Sequence, residues 1–218
     1  MRVAPMHESL ATTAEILYRN AAAIRAVEGH EVNQFTRALA ALERLAAAIG
    51  APLALVGGLA GIRHRAAVTT VDIDVVVPAE KLAAVLSEAT SCGLIVKHAS
   101  KDGWHRLAFA DDQGEVDIEV VPAGRNSPRD PAYAPPTPNP QELGVERGLG
   151  YASFAGWVVL KLVANRDKDR YHLVEALKHA GESEIASVVQ RLRALDPSYL
   201  KEFERLVRAA EDEKQDDW

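Results

Sequence analysis

Three features of the 218-residue sequence predict an α+β fold. Two stretches with apolar residues at three-and-four spacing open the chain. Short apolar runs punctuated by glycine and proline fill its middle. Helical pattern closes it, after a segment, 122–140, whose seven prolines rule out regular structure. A small mixed sheet flanked by N-terminal helices and a C-terminal helical bundle is expected. The chain divides into an N-terminal helical segment at 1–50, a core at 51–125, a proline-rich loop at 126–150 and a C-terminal helical region at 151–218.

Residues 7–28 are rich in Ala, Leu, Ile and Glu and fit a helix. Over 32–49, Phe35, Ala38, Leu39, Leu42, Leu45 and Ala46 make one buried helical face, and Gly50 ends it. A short buried strand at 53–56 turns at Gly57-Gly58 into a helix over 59–64. The next strand, 70–77, is stopped by Pro78, and a helix follows at 81–92 with Leu82, Val85 and Leu86 inward. Strands are expected at 94–98, 104–110 and 115–121, the last two joined as a hairpin through Asp112-Gln113-Gly114. The region 154–180 is helical, as are 183–195 and 198–213, separated by Asp196-Pro197 with Ser198 as N-cap. The acidic run at 211–217 reads as a solvated end.

Charge and cysteine content narrow the function classes. A net charge of −6 argues against broad nucleic-acid binding, which needs clustered Lys and Arg. Local basic groups remain at Arg63-His64-Arg65 and at Arg166, Lys168 and Arg170. The single Cys92 reads as a packed structural thiol and forms no intrachain disulfide. The opening residues hold no signal-like apolar segment, and no run reaches the ~18 apolar residues of a membrane span. A cytoplasmic protein that does not enter the membrane is expected.

The chemistry concentrates around Asp72-Ile73-Asp74. Side chains i and i+2 of a strand point the same way, so the two carboxylates project together while Ile73 points inward. Like charges this close raise each other's pKa unless a cation separates them. Oxygen ligands of this kind suit Mg2+ or Mn2+, and Mg2+ is usually held by one or two carboxylates with substrate phosphates. Gly57-Gly58, lacking Cβ atoms, allow close approach of backbone to phosphate at a helix start. Arg63, Thr69 and Thr70 are placed to touch phosphate. Asp117 and Glu119 share one face of Val116-Asp117-Ile118-Glu119-Val120-Val121 and offer a third carboxylate. Lys161 sits inside an apolar helix, where a lysine needs an acid, a cleft or a phosphate. His105 and Trp104 are candidates for a base-stacking platform.

A strand ending in Gly57-Gly58, a short helix, then Arg63, Thr70 and Asp72-x-Asp74 on the next strand resembles the nucleotidyltransferase superfamily. The nearest resemblance is to the minimal and AbiEii-type nucleotidyltransferases, several of which are toxins of type IV toxin–antitoxin systems. It spans about 53–122 and resumes at about 154–177. The resemblance implies a nucleotidyltransferase-fold core and Mg2+-dependent transfer of an NMP from ATP, GTP, CTP or another NTP to an acceptor hydroxyl. Asp72, Asp74 and a third acid would hold the metal. The third acid of the family generally opens its apolar segment, which favours Asp117, with Glu119 the alternative. Lys161 would contact the triphosphate, and Asp169 (or Asp167) would organise the site. Where many relatives carry a further aspartate, this chain has His172, a departure from the pattern. The acceptor is open between RNA such as a tRNA end, protein and a small molecule including an aminoglycoside, and an antitoxin is an expected partner. A non-catalytic nucleotide-binding module and a protein-interaction module are the rival readings.

Overall fold

The computed structural model describes residues 13–29, 32–66, 68–99, 105–125 and 135–216. Among them are eight α-helices and one six-stranded mixed sheet. Helix α1 (Thr13–Glu28) and α2 (Gln34–Ile49) come first. Residues 7–12 of the expected first helix lie outside the described residues. Asn33 caps α2, accepting from the Phe35 and Thr36 amides while its Nδ2 donates to Ala22 O at 2.9 Å. Gly50, at φ 61°, closes α2 in the left-handed conformation that glycine adopts without strain.

Strand β1 (Leu53–Leu55) runs into α3 (Gly57–Arg63), and β2 (Asp72–Val77) into a 3-10 turn (Ala79–Lys81) and α4 (Leu82–Glu88). Then come β3 (Ile95–Ala99), β4 (His105–Asp111) and β5 (Gly114–Pro122), with the expected hairpin between β4 and β5; its loop is two residues, Asp112 and Gln113, and Gly114 already opens β5. Strand β6 (Leu149–Tyr151) was not expected from the sequence. It is three residues long with a glycine at its centre, so it carries no periodic signal. Gly150 fits closely there: a Cβ would meet the Val145 side chain at 3.0 Å.

The sheet order is β3-β4-β5-β2-β1-β6. Pairing is parallel for β2–β5 and β1–β6 and antiparallel elsewhere. One face packs Ile73, Val75, Leu107, Ile118 and Val120 against Phe35, Leu42 and Leu45 of α2. The other face packs Ala54 and Val76 against the C-terminal helices α5 (Phe154–Ala164), α6 (Asp167–Leu177), α7 (Glu182–Leu195) and α8 (Ser198–Asp216). The N-terminal and C-terminal helices thus share cores with opposite faces of one sheet. The acidic run continues α8 as far as Asp216. No helix among the described residues is long and apolar enough to cross a membrane.

The helical region expected over 154–180 is broken between α5 and α6. Asn165 takes φ 47° and ends α5, as asparagine can in the left-handed region. The break sets the last turn of α5 beside the first turn of α6, and with them Lys161 beside Asp169.

Candidate active site

Strand β2 presents Asp72 and Asp74 on one face, with Ile73 fully buried on the other. Parallel pairing with β5 sets Asp72 opposite Asp117 and Asp74 opposite Glu119. Four carboxylate-bearing positions thereby occupy adjacent places on two strands. Thr70, itself buried, donates its hydroxyl to Asp72 Oδ1 at 2.9 Å. Asp74 lies at the start of α3 and accepts a hydrogen bond from the Gly58 amide. Burial raises Asp74 most, and the charges of Asp72 and Glu119 add to it, so its pKa stands at about 7 despite the opposing pull of Lys161.

The space beside the first two glycines of α3 is filled from the protein side. Gly57 has φ +57°, and a methyl group on it would overlap the Asp74 carboxylate. A methyl group on Gly58 would overlap Thr70. The Gly57 carbonyl accepts the Trp157 indole N–H at 3.0 Å, which ties α3 to α5.

Lys161 is 7% exposed and donates from Nζ to Asp169 Oδ1 at 2.7 Å, with Nζ 5.8 Å from the centre of the Trp157 ring. Asp169 is fully buried and also receives Arg166, through Nε to Oδ2 and NH2 to Oδ1 at 3.0 Å. Burial alone would raise Asp169, but the hydrogen bonds from Arg166 and Lys161 hold it below its ordinary value. Asp167, by contrast, is fully exposed and faces only Arg170 at 3.7 Å. Of the two acids considered in the sequence, Asp169 is the one joined to Lys161. His172 lies nearby, held below its ordinary pKa by burial and then by the Lys161 charge.

A cavity of about 220 Å³ brings Gly57, Asp74, Glu119, Lys161 and Arg166 together. Asp117 is not among the residues that line it, although it holds the same face of β5; Glu119 is the acid of that strand that reaches the cavity. Glu119 also faces Arg106 NH2 at 3.6 Å. Arg63 and Thr69 are exposed and outside the cavity. Arg63 ends α3, six residues or about 9 Å along the helix from Gly57. His105 is buried at 6% exposure rather than displayed as a platform, and Trp104 lies outside the described residues. Cys92 is buried and free, as expected of a structural thiol.

Sequence reasoning did not single out Arg166 and Trp157 as site residues. Trp157 precedes Lys161 by one helical turn, a spacing that predicts a shared face. Arg166 precedes Asp169 by three, but the break in the helix at Asn165 that makes them neighbours of Lys161 leaves no mark in the side-chain period.

Among the described residues, no group of three or more His, Cys, Asp or Glu side chains is arranged to hold a metal ion alone. The donor types do fit a hard cation that shares its coordination with a substrate: Asp72 and Asp74 present carboxylate oxygens on one strand, opposite Asp117 and Glu119 on the next. The fold and the site thus define an α+β protein with a cleft that holds Asp74 and Glu119 beside Lys161 and Arg166, both paired with the buried Asp169. Comparison with protein-family models, and with curated proteins, found no match to this chain.

Proposed function

We propose that this protein is a nucleotidyltransferase that moves an NMP from an NTP to an acceptor hydroxyl, on a nucleotidyltransferase-fold core. The observation that carries the reading is Asp74: it sits beside Asp72, across the strand pair from Glu119 and in one cavity with Lys161. Asp72 and Asp74 would hold Mg2+ or Mn2+, with Asp117 the further acid on the same sheet face. When bound, that ion supplies charge neutralisation on the phosphates and on the departing pyrophosphate.

The chain's own residues supply position and proton transfer. Lys161 and Arg166, held in place by Asp169, face the triphosphate across the cavity. Glu119 accepts the proton of the acceptor hydroxyl, whose oxygen then bonds to the α-phosphorus. The bond from that phosphorus to the β-phosphate oxygen breaks, and pyrophosphate leaves. Gly57 and Gly58 keep the start of α3 close enough for the Gly58 amide to orient Asp74. Positioning and fixed charge account for most of the rate.

Purified protein with Mg2+ or Mn2+ and each α-labelled NTP, offered total tRNA, protein extract and aminoglycosides, tests the reading. Label on one acceptor class, lost in Asp72→Ala/Asp74→Ala, supports it and names the acceptor. NTP binding without any transfer would turn the reading toward a binding module. A toxin role restrained by an antitoxin extends the AbiEii resemblance by analogy. It predicts growth arrest on expression that the same double substitution abolishes.

A further inference from the structure

The segment Pro135–Pro138 takes no part in the chemistry above, yet it walls the cavity that holds Asp74 and Lys161. Two backbone hydrogen bonds fix it as a strap. The Gly124 amide donates to Thr137 O at 2.8 Å, and the Thr137 amide donates to Arg125 O at 2.7 Å. Gly124 and Arg125 follow directly on β5, so the strap is tied to the strand that carries Glu119. Each proline has a single fixed backbone torsion, which keeps the wall where those bonds put it.

The cavity is divided in character. Asp74, Glu119, Lys161 and Arg166 act on one another electrostatically and form its charged part. Val76, Val121, Leu160, Val163 and the strap prolines make the remainder apolar. A ligand that matches both parts joins a polyanion to a flat, weakly polar body, as a nucleoside triphosphate does. Building on the nucleotidyl transfer argued above, we propose that the strap and α5 flank the nucleobase and hold it by apolar contact, so that all four bases are accepted with little discrimination.

The scarcity of neutral donors supports that tolerance. Prolines 135, 136 and 138 have no N–H to offer, and the Thr137 amide is spent on Arg125. The Trp157 indole N–H is spent on Gly57. Among the described residues lining the cavity, Thr137 is left as the neutral side chain able to read a base edge. Apolar pockets separate similar ligands weakly, whereas buried hydrogen-bonding groups separate them strongly.

Calorimetric titration of the full chain, in Mg2+, with ATP, GTP, CTP, UTP and inorganic tripolyphosphate tests this. The four NTPs should bind within about tenfold of one another, and each about tenfold or more tighter than tripolyphosphate. Pro135→Gly/Pro138→Gly should bring the NTPs toward the tripolyphosphate value, and Thr137→Val should narrow the spread among bases. Tripolyphosphate binding as tightly as the NTPs would overturn the base pocket and leave nucleotidyl transfer standing. One NTP preferred by about a thousandfold would overturn the tolerance. Binding of none of the five would remove both the pocket and the reading on which it rests.

Discussion

Replacing Asp74 by asparagine should make the metal-free protein more stable at alkaline pH. Burial, then Asp72, then Glu119 raise this carboxyl from 3.8 to about 7. That displacement of about three pH units corresponds to ~4 kcal/mol at 1.36 kcal/mol per unit. The side chain keeps partial access to solvent in the cleft, which screens the charge and brings the expected cost to ~2 kcal/mol. The sign follows from proton binding. Between 3.8 and about 7 the folded chain retains a proton that the unfolded chain has released, so stability falls as pH rises through that window and then levels off. Asparagine carries no such penalty and can still accept from the Gly58 amide. Thermal unfolding followed by circular dichroism in EDTA should place the variant's Tm above wild type by about 4–8 °C at pH 8. By about pH 4.5 the gap should shrink to roughly a quarter. A variant less stable than wild type at pH 8, or a gap of equal size at both pH values, would refute the account of Asp74 as an uncompensated charge.

Three further outcomes are expected. Gly57→Ala forces a methyl group into Asp74 and an L-residue into φ +57°; it should cost at least ~2 kcal/mol, read as a fall in Tm, and abolish NTP binding. Asn33→Ala removes the cap of α2 and the Asn33–Ala22 tie, for about 1–2 kcal/mol of stability and no change in ligand affinity. A non-hydrolysable NTP with Mg2+ at about a hundred times its Kd should stabilise wild type by ~2.7 kcal/mol; EDTA should remove most of that shift, and Asp72→Ala/Asp74→Ala should not show it.

The fold was legible where side-chain period and backbone chemistry agree. The α2 face, the Gly50 cap, the alternation of β5 and the β4–β5 turn each depend on residues within one element, and all are present. Strand β6 depends instead on Leu53 and Leu55, about a hundred residues away, whose edge it completes, and three residues leave no local trace of that pairing. The site divides in the same way. Asp72 and Asp74 share a face because residues two apart on a strand must. Which acid of β5 reaches the cavity depends on register and on the shape of the cleft, and there the structure brings in Glu119. The joining of Lys161 with Asp169 turns on one left-handed residue, Asn165, in a stretch whose composition reads as continuous helix.

That turn also explains why Asp74 is only partly balanced and keeps a raised pKa. Lys161 is the cation whose charge opposes the rise at Asp74, but its ammonium is committed to Asp169, which Arg166 also grips. Asp169 therefore holds two cations of the cavity wall in ion pairs of its own. Asp169→Asn should release that hold. The variant should be less stable by about 3–5 kcal/mol, because the buried Lys161 loses its counter-charge and the half-buried Arg166 loses its partner. Lys161 should then turn toward Asp74 and lower its pKa. The distinguishing measurement is the stability difference between Asp169→Asn and Asp169→Asn/Asp74→Asn across pH. Its midpoint should move below the value of about 7 set by the native surroundings, and the gap at pH 8 should narrow. A midpoint that stays in place while stability drops would mean that Asp169 supports packing alone, and that Lys161 does not share its charge between the two acids.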